Sequence, residues 1–249
     1  LIEPLYDFVN VLINRLENGI QFHVIIDWLF FDTRVNWQRM LYPGEDNQEE
    51  LTGGLSMRYV LIDKTFRLSI PAQLVVNHVG GQIDVSSEPL QTYTNSAIGL
   101  TLDFLRPDNS LINRIRLDSY YTNYSDFSST QLRPFENGSG WYVNAEVKSK
   151  VGLEFMISYW RGHEFLSIDG GQLYPSESSS VKNRLIIEEE RELLILRAFY
   201  NVTLAKDLTA SVRIEPFFDL LNDRFEYSQG IYLNYNIDFF LLKNKGRGR

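Results

Sequence analysis

The 249-residue chain has no cysteine, which excludes disulfide staples and thiolate catalysis. It also lacks any apolar run of the roughly eighteen residues that a membrane-crossing helix needs. Its longest candidate, FHVIIDWLFF at 22–31, is broken by Asp27. A helical membrane protein is thereby excluded, but a strand-built one is not, because a membrane β-barrel leaves a much weaker hydropathy signal. Basic residues are in deficit: 24 Lys and Arg against 32 Asp and Glu, a net charge of −8. A general nucleic-acid-binding surface is therefore not expected. No phosphate loop, zinc-ligand spacing or nucleotide fingerprint occurs, and there are only three histidines.

Aromatics, by contrast, are plentiful, with 14 Tyr and 16 Phe, and they suit strands and membrane interfaces. The dominant signal is alternation. In KTFRLSIPAQLVVNH (64–78), Phe66, Leu68, Ile70, Ala72, Leu74 and Val76 point one way, and Arg67, Ser69, Gln73 and Asn77 the other. That period of two marks a strand whose two faces meet different surroundings. Ten such segments are read at about 19–31, 54–63, 65–79, 93–106, 110–123, 139–149, 151–163, 191–205, 208–219 and 225–242. Most are longer than the five or six residues of a typical soluble strand and reach the nine to eleven that cross a bilayer at a tilt. Short turns at 63–64, 106–109, 149–150 and 206–207 alternate with long connections at 32–53, 80–92, 124–138 and 164–190; the last connection, LLNDR at 220–224, is short where a long one is expected.

The chain opens at Leu1 without a methionine or a signal-like apolar segment, and a mature or trimmed form is expected. Residues 4–17 differ from the rest. Apolar positions recur at three- and four-residue spacing, with Pro4 near one end and Gly19 past the other. This predicts an amphipathic helix, against a rival hairpin turning at Asn18-Gly19. The expected organisation is this helix within 1–18 on the periplasmic side, a barrel over 19–242, and a basic tail over 243–249 that either ends the chain or touches anionic headgroups.

Charges of both signs fall on the polar face, among them Asp103, Arg114, Arg116, Glu146, Arg197, Arg213 and Glu215. Aromatics such as Phe66, Phe104, Trp141, Tyr159, Phe225, Tyr227 and Phe239 lie towards the ends of the apolar face. Long strands, alternating loop lengths, aromatic ends and the closing FEYSQGIYLNYNIDFFLL together resemble Gram-negative outer-membrane β-barrels, of the kind abundant in the Bacteroidota. No specific family is matched motif by motif, and the tail KNKGRGR departs from the common pattern. The resemblance implies an all-β, antiparallel transmembrane barrel of about ten strands (eight to twelve) in the bacterial outer membrane. A soluble barrel or sandwich is the rival. A barrel of that size has a side-chain-filled interior, and the inward charges are expected to pair, with Arg114 and Arg116 meeting Asp103 and Glu146.

Candidate chemistry is sparse. His23 falls on the inward face. His78 and His163 end their segments at the external rim, each followed by glycines and an aspartate, Asp84 and Asp169, with Ser86, Ser87 and Ser167 near in sequence. Such Ser–His or Asp–His groupings serve acyl and peptide hydrolysis. Glu188, Glu189, Glu190 and Glu192 form a run that could collect a divalent cation but reads first as a solvated loop. The Asn-x-Ser/Thr sequons at Asn123, Asn137 and Asn201 read as incidental. No cofactor and no metal site is expected. The partners implied are outer-membrane lipid and other envelope proteins, not nucleic acid. On this footing the main expectation is a non-catalytic structural or accessory component of an envelope complex, or a surface-binding protein, with enzyme status left open and leaning to no. A lipid or peptide hydrolase at the external rim is one alternative, and a narrow channel is the other.

Overall fold

Alternation of this length resolves into one antiparallel sheet of eleven strands, paired strictly in chain order. The structure is a computed structural model and describes residues 1–7, 18–42, 44–45, 47–81, 86–105, 110–178 and 186–235. The strands are β1 (Gly19–Ile26), β2 (Leu29–Arg39), β3 (Glu50–Asp63), β4 (Arg67–Val79), β5 (Gln91–Leu105), β6 (Ile112–Asp126), β7 (Asn137–Ser149), β8 (Leu153–His163), β9 (Glu190–Ala205), β10 (Leu208–Asp219) and β11 (Arg224–Tyr235). One end of the sheet carries short turns at 27–28, 64–66, 150–152 and 206–207. The other carries the long connections at 40–49, 80–90, 127–136 and 164–189 together with the short turn at 220–223. β1 and β11 are the two edges; among the described residues no pairing joins them.

The first segment departs from its sequence reading. FHVIIDWLFF is not one strand but a hairpin, with Ile26 opposite Leu29 and Asp27-Trp28 at the turn. Much of the expected loop 32–53 is therefore strand: Phe31, Thr33 and Val35 alternate with Asp32, Arg34 and Asn36 along β2. Alternation passes through the turn without a break of phase, and the turn lacks the Asn-Gly or Asp-Gly that normally announces one. The extra strand also places Gly19, opposite Asn36, at the long-connection end, whereas ten strands would begin at the short-turn end. No helix occurs among the described residues. Residues 3–5 form a turn in which the Leu5 and Tyr6 amides donate to the Ile2 carbonyl. The remainder of the helix expected over 4–17 falls on 8–17, outside the described residues, as do 236–249.

The two faces of the sheet separate as the alternation requires. Outward stand Ile98 and Leu100 of β5, Leu117 of β6, Val143 of β7, Phe155 and Ile157 of β8 and Ile214 of β10, all exposed. Aromatic contacts flank this band at both ends: Trp28 with Tyr59 and Phe66 with Phe104 near the short turns, Tyr121 with Trp141 and Phe218 with Phe225 near the long connections. Inward, the ion pairs expected of Arg114 form, whereas Arg116 pairs with Asp118 on its own strand instead of Asp103 or Glu146. Arg114 meets Asp103 at 2.6 Å and Glu146 at 4.0 Å; Arg116 meets Asp118 at 2.9 Å.

The interior also holds two stretches of main chain. Residues 1–7 and the loop 164–178 pack against the inner face around Trp160, Phe165 and Tyr174, all buried. The Gly171 amide donates to the Glu3 carbonyl, and the Asp7 amide to that of Asp169. The sheet curls about this filling. Arg34 of β2 lies over the Tyr6 ring at 5.3 Å, the Ile2 amide donates to Gln73 of β4, and Arg197 of β9 and Arg213 of β10 both reach Glu3. Strands near opposite edges of the sheet thus meet one seven-residue segment. Arg197 is fully buried and spends all five guanidinium protons: on Glu215, Glu3, Tyr142, Ser158 and Tyr174. A buried charge is tolerated only with such complete pairing.

Candidate functional site

The long-connection rim carries the histidines expected there, but on the outer face. Strand residues alternate sides. Asn77 is buried inward, so His78 points outward, where its Nδ1 lies 2.8 Å from the Thr92 hydroxyl. Gly162 is buried, and a side chain there would strike the Trp160 ring, so it faces inward and His163 outward. His163 Nδ1 sits 2.9 Å from Glu190 Oε1, and Nε2 lies 4.0 Å from the Glu164 carboxylate. Glu164 has a left-handed backbone (φ 51°) and its amide donates to the Glu189 carbonyl at 2.7 Å. That bond closes the neck of the loop beside His163.

The structure does not bring the sequence candidates into one place. His78 on β4 and His163 on β8 are separated by three strands. Asp169 is inside: it accepts from Asn77 Nδ2 at 3.0 Å, and burial raises its pKa, with the Asn77 hydrogen bond and Arg34 opposing. Ser167 accepts from the Gly170 amide in a local turn, and Ser86 from the Glu88 amide. Asp84 lies outside the described residues. His23 shares the inner face with Asp32, its register partner. The glutamate run disperses: Glu188 binds Arg191, Glu190 binds His163, and Glu192 accepts from the Tyr159 hydroxyl at 2.8 Å.

Register supplies what the linear order concealed. Asn123 of β6 opposes Ser139 of β7, Ser139 opposes His163 of β8, and His163 opposes Glu190 of β9. Register partners share a face, so these four polar residues make one outward row. One outward position nearer the middle of the sheet is a second row: Tyr121, Trp141, Arg161 and Glu192. The polar row therefore borders the aromatic contact of Tyr121 with Trp141, centroids 5.2 Å apart. Two clefts open on the inner side between the loop and β10–β11. One, of about 340 Å³, is lined by Glu188, Arg191, Asp219 and Arg224; the other, of about 390 Å³, by Glu3, Arg213, Glu215 and Tyr232. Neither presents a histidine, and their charges are largely committed to one another.

A profile of the family described as lipid A 3'-O-deacylase-type matches residues 1–244. No curated protein and no solved structure matches the chain. The family match overturns the expectation of a non-catalytic accessory or surface-binding role: a family described by an acyl-ester-cleaving activity fits the rim hydrolase instead. The expectation that no specific family is matched is corrected with it. Charge, composition and alternation speak for architecture and are silent on reaction.

Proposed function

Because the chain belongs to the lipid A 3'-O-deacylase-type family, we propose that it is an outer-membrane β-barrel hydrolase that releases an ester-linked acyl chain from lipid A. The match over nearly the whole chain carries this reading. Two features of the molecule support it. The outward band of exposed Ile98, Leu100, Phe155 and Ile157 suits hydrocarbon, bounded by aromatics at both ends. Histidine, serine and carboxylate stand just beyond that band on the same face, which suits a bond at the polar end of an acyl chain. The interior is filled by residues 1–7 and 164–178, which favours a substrate approached from the leaflet over one threaded through a lumen.

The test is direct. Full-length protein in detergent micelles is incubated with lipid A, and the products are read by mass spectrometry. Loss of one ester-linked acyl chain, with amide-linked chains retained and free fatty acid appearing in equal amount, is the expected result. An unchanged lipid A spectrum would sink the reading.

A further inference from the structure

Along β8 the outward positions run Phe155, Ile157, Tyr159, Arg161 and His163, from the exposed apolar band to the long-connection end. Arg161 is exposed and is the first charge met on that strand beyond the band. Trp141 of β7 opposes it on one side and Glu192 of β9 on the other. Opposite charges in direct register attract, yet Glu192 accepts from the Tyr159 hydroxyl at 2.8 Å. Among the described residues the Arg161 guanidinium has neither an ion pair nor a hydrogen bond. The arginines of the inner face differ: Arg114, Arg116, Arg197 and Arg213 each hold a carboxylate. A guanidinium presents five N–H donors in a planar fork that matches phosphate two bonds at a time. One outward position further along the ladder, Ser96 of β5, Asn123 of β6 and Ser139 of β7 stand in register. These side chains carry hydroxyls and an amide and no charge, a set that pairs with sugar hydroxyls.

We propose that Arg161 is a headgroup-recognition residue: its fork holds a phosphate on the sugar headgroup of a membrane lipid, while Trp141 walls the site on the β7 side and Ser96, Asn123 and Ser139 meet the sugar hydroxyls. For the lipid's identity this rests on the lipid A reading above; it concerns which headgroup is held and not which bond is cut. On that reading the exposed band faces hydrocarbon, and the Tyr121–Trp141 contact at its end stands at headgroup level. A long arginine side chain there lays its apolar stem along the apolar surface and carries its charge to the headgroups. The Glu192 carboxylate works against any anion held by Arg161, because it lies directly opposite. A phosphomonoester, with more charge and more free oxygens for the fork, overcomes that repulsion better than a monoanionic phosphodiester does. This separates a phosphorylated sugar from the headgroup of phosphatidylglycerol.

The test reads binding, not turnover. Full-length protein in detergent micelles is mixed with phosphorylated lipid A, with the same lipid dephosphorylated, or with phosphatidylglycerol. Bound lipid is counted by native mass spectrometry, intact and deacylated species together. The phosphorylated lipid should be held about tenfold or more better than either of the others. Arg161→Gln should erase that preference, Arg161→Lys should keep part of it, and Glu192→Gln should increase it. Heat-modifiable gel migration should stay unchanged in all three, since both side chains stand on the outer face. Equal retention of phosphorylated and dephosphorylated lipid by the wild-type protein overturns the proposal, as does a preference that survives Arg161→Gln. Phosphatidylglycerol held as well as phosphorylated lipid A, or lipid A displaced by inorganic phosphate alone, reduces Arg161 to a general anion contact and overturns headgroup recognition. The two proposals can fail separately. A protein that prefers the phosphorylated lipid through Arg161 but removes no acyl chain keeps the recognition and loses the hydrolase. One that deacylates lipid A and binds it without regard to phosphate keeps the hydrolase and loses the recognition.

Discussion

The two faces of β8 live under different constraints. Ser158, Trp160 and Gly162 point inward and are buried; Arg161 and His163 point outward and are exposed. On the inner side of β8 the buried polar groups are answered: Ser158 accepts from Arg197, and the Trp160 indole donates to the Tyr174 carbonyl at 3.2 Å. Outside, His163 is about half exposed, with Glu190 its one hydrogen-bonding partner among the described residues and the Glu164 carboxylate 4.0 Å from its other nitrogen. A group that must change protonation and meet a substrate is disabled by full satisfaction, whereas a group that locks a core requires it. Along β8 the inner face is thus occupied with structure, and the outer face is the open one.

The largest effect should come from breaking the inside. Arg197→Leu removes all five guanidinium hydrogen bonds and leaves Arg213 as the cation that Glu3 and Glu215 share, with the Tyr174 hydroxyl still donating to Glu3. A buried pair broken on one side costs about 3–5 kcal/mol. Reversible unfolding in detergent or lipid should show that loss, and a change below about 1 kcal/mol would mean that the inner network is not the lock it resembles.

The outside separates lipid from water. Leu100 is 54% exposed on the outer face near the middle of β5. In water, Leu100→Arg should be tolerated within about 0.5 kcal/mol. At the centre of a bilayer the same charge costs about 2–4 kcal/mol. Folding into lipid vesicles, with and without the substitution, measures the difference, and a neutral outcome would remove the hydrocarbon from the picture.

The smallest effect concerns Asp169. Its carboxyl pKa is raised chiefly by burial, so the folded state favours the protonated form. Its contribution to stability is therefore full below the unfolded carboxylate value and is lost as pH rises through the raised folded value. Asp169→Asn keeps an acceptor for the Asn77 amide and cannot ionise. A modest gain in melting temperature at pH 8 and none near pH 4 is expected. A gain of equal size at both pH values would mean that burial of the charge is not what the aspartate pays.

How far the sequence could be read depends on the kind of contact. The inward pairing of Arg114 with Asp103 and Glu146 was legible because these residues lie at the same depth on strands joined by short turns. The β1–β2 hairpin has only half of its signal in the sequence: Phe31 to Val35 alternate as a strand does, but Asp27-Trp28 supplies no turn chemistry to separate them from the segment before. The location of Asp169 carried no such signal. Its approach to Asn77 spans 92 residues, and nothing in the loop's composition says that it folds inward instead of out.

Sequence alone determined the sidedness of each strand, because a period of two commits every second residue to the same surroundings whatever its neighbours are. It determined as well that the inward charges come in compensating signs. Only the tertiary structure decided that Glu3 is the counter-ion of Arg197 and Arg213, because that contact joins residues 194 and 210 positions apart. It alone decided that residues 1–7 and 164–178 fill the interior, and that Asn123, Ser139, His163 and Glu190 stand in one row. Register between strands is set by how whole ladders of hydrogen bonds and packed side chains close together, and no local pattern encodes which residues they bring face to face.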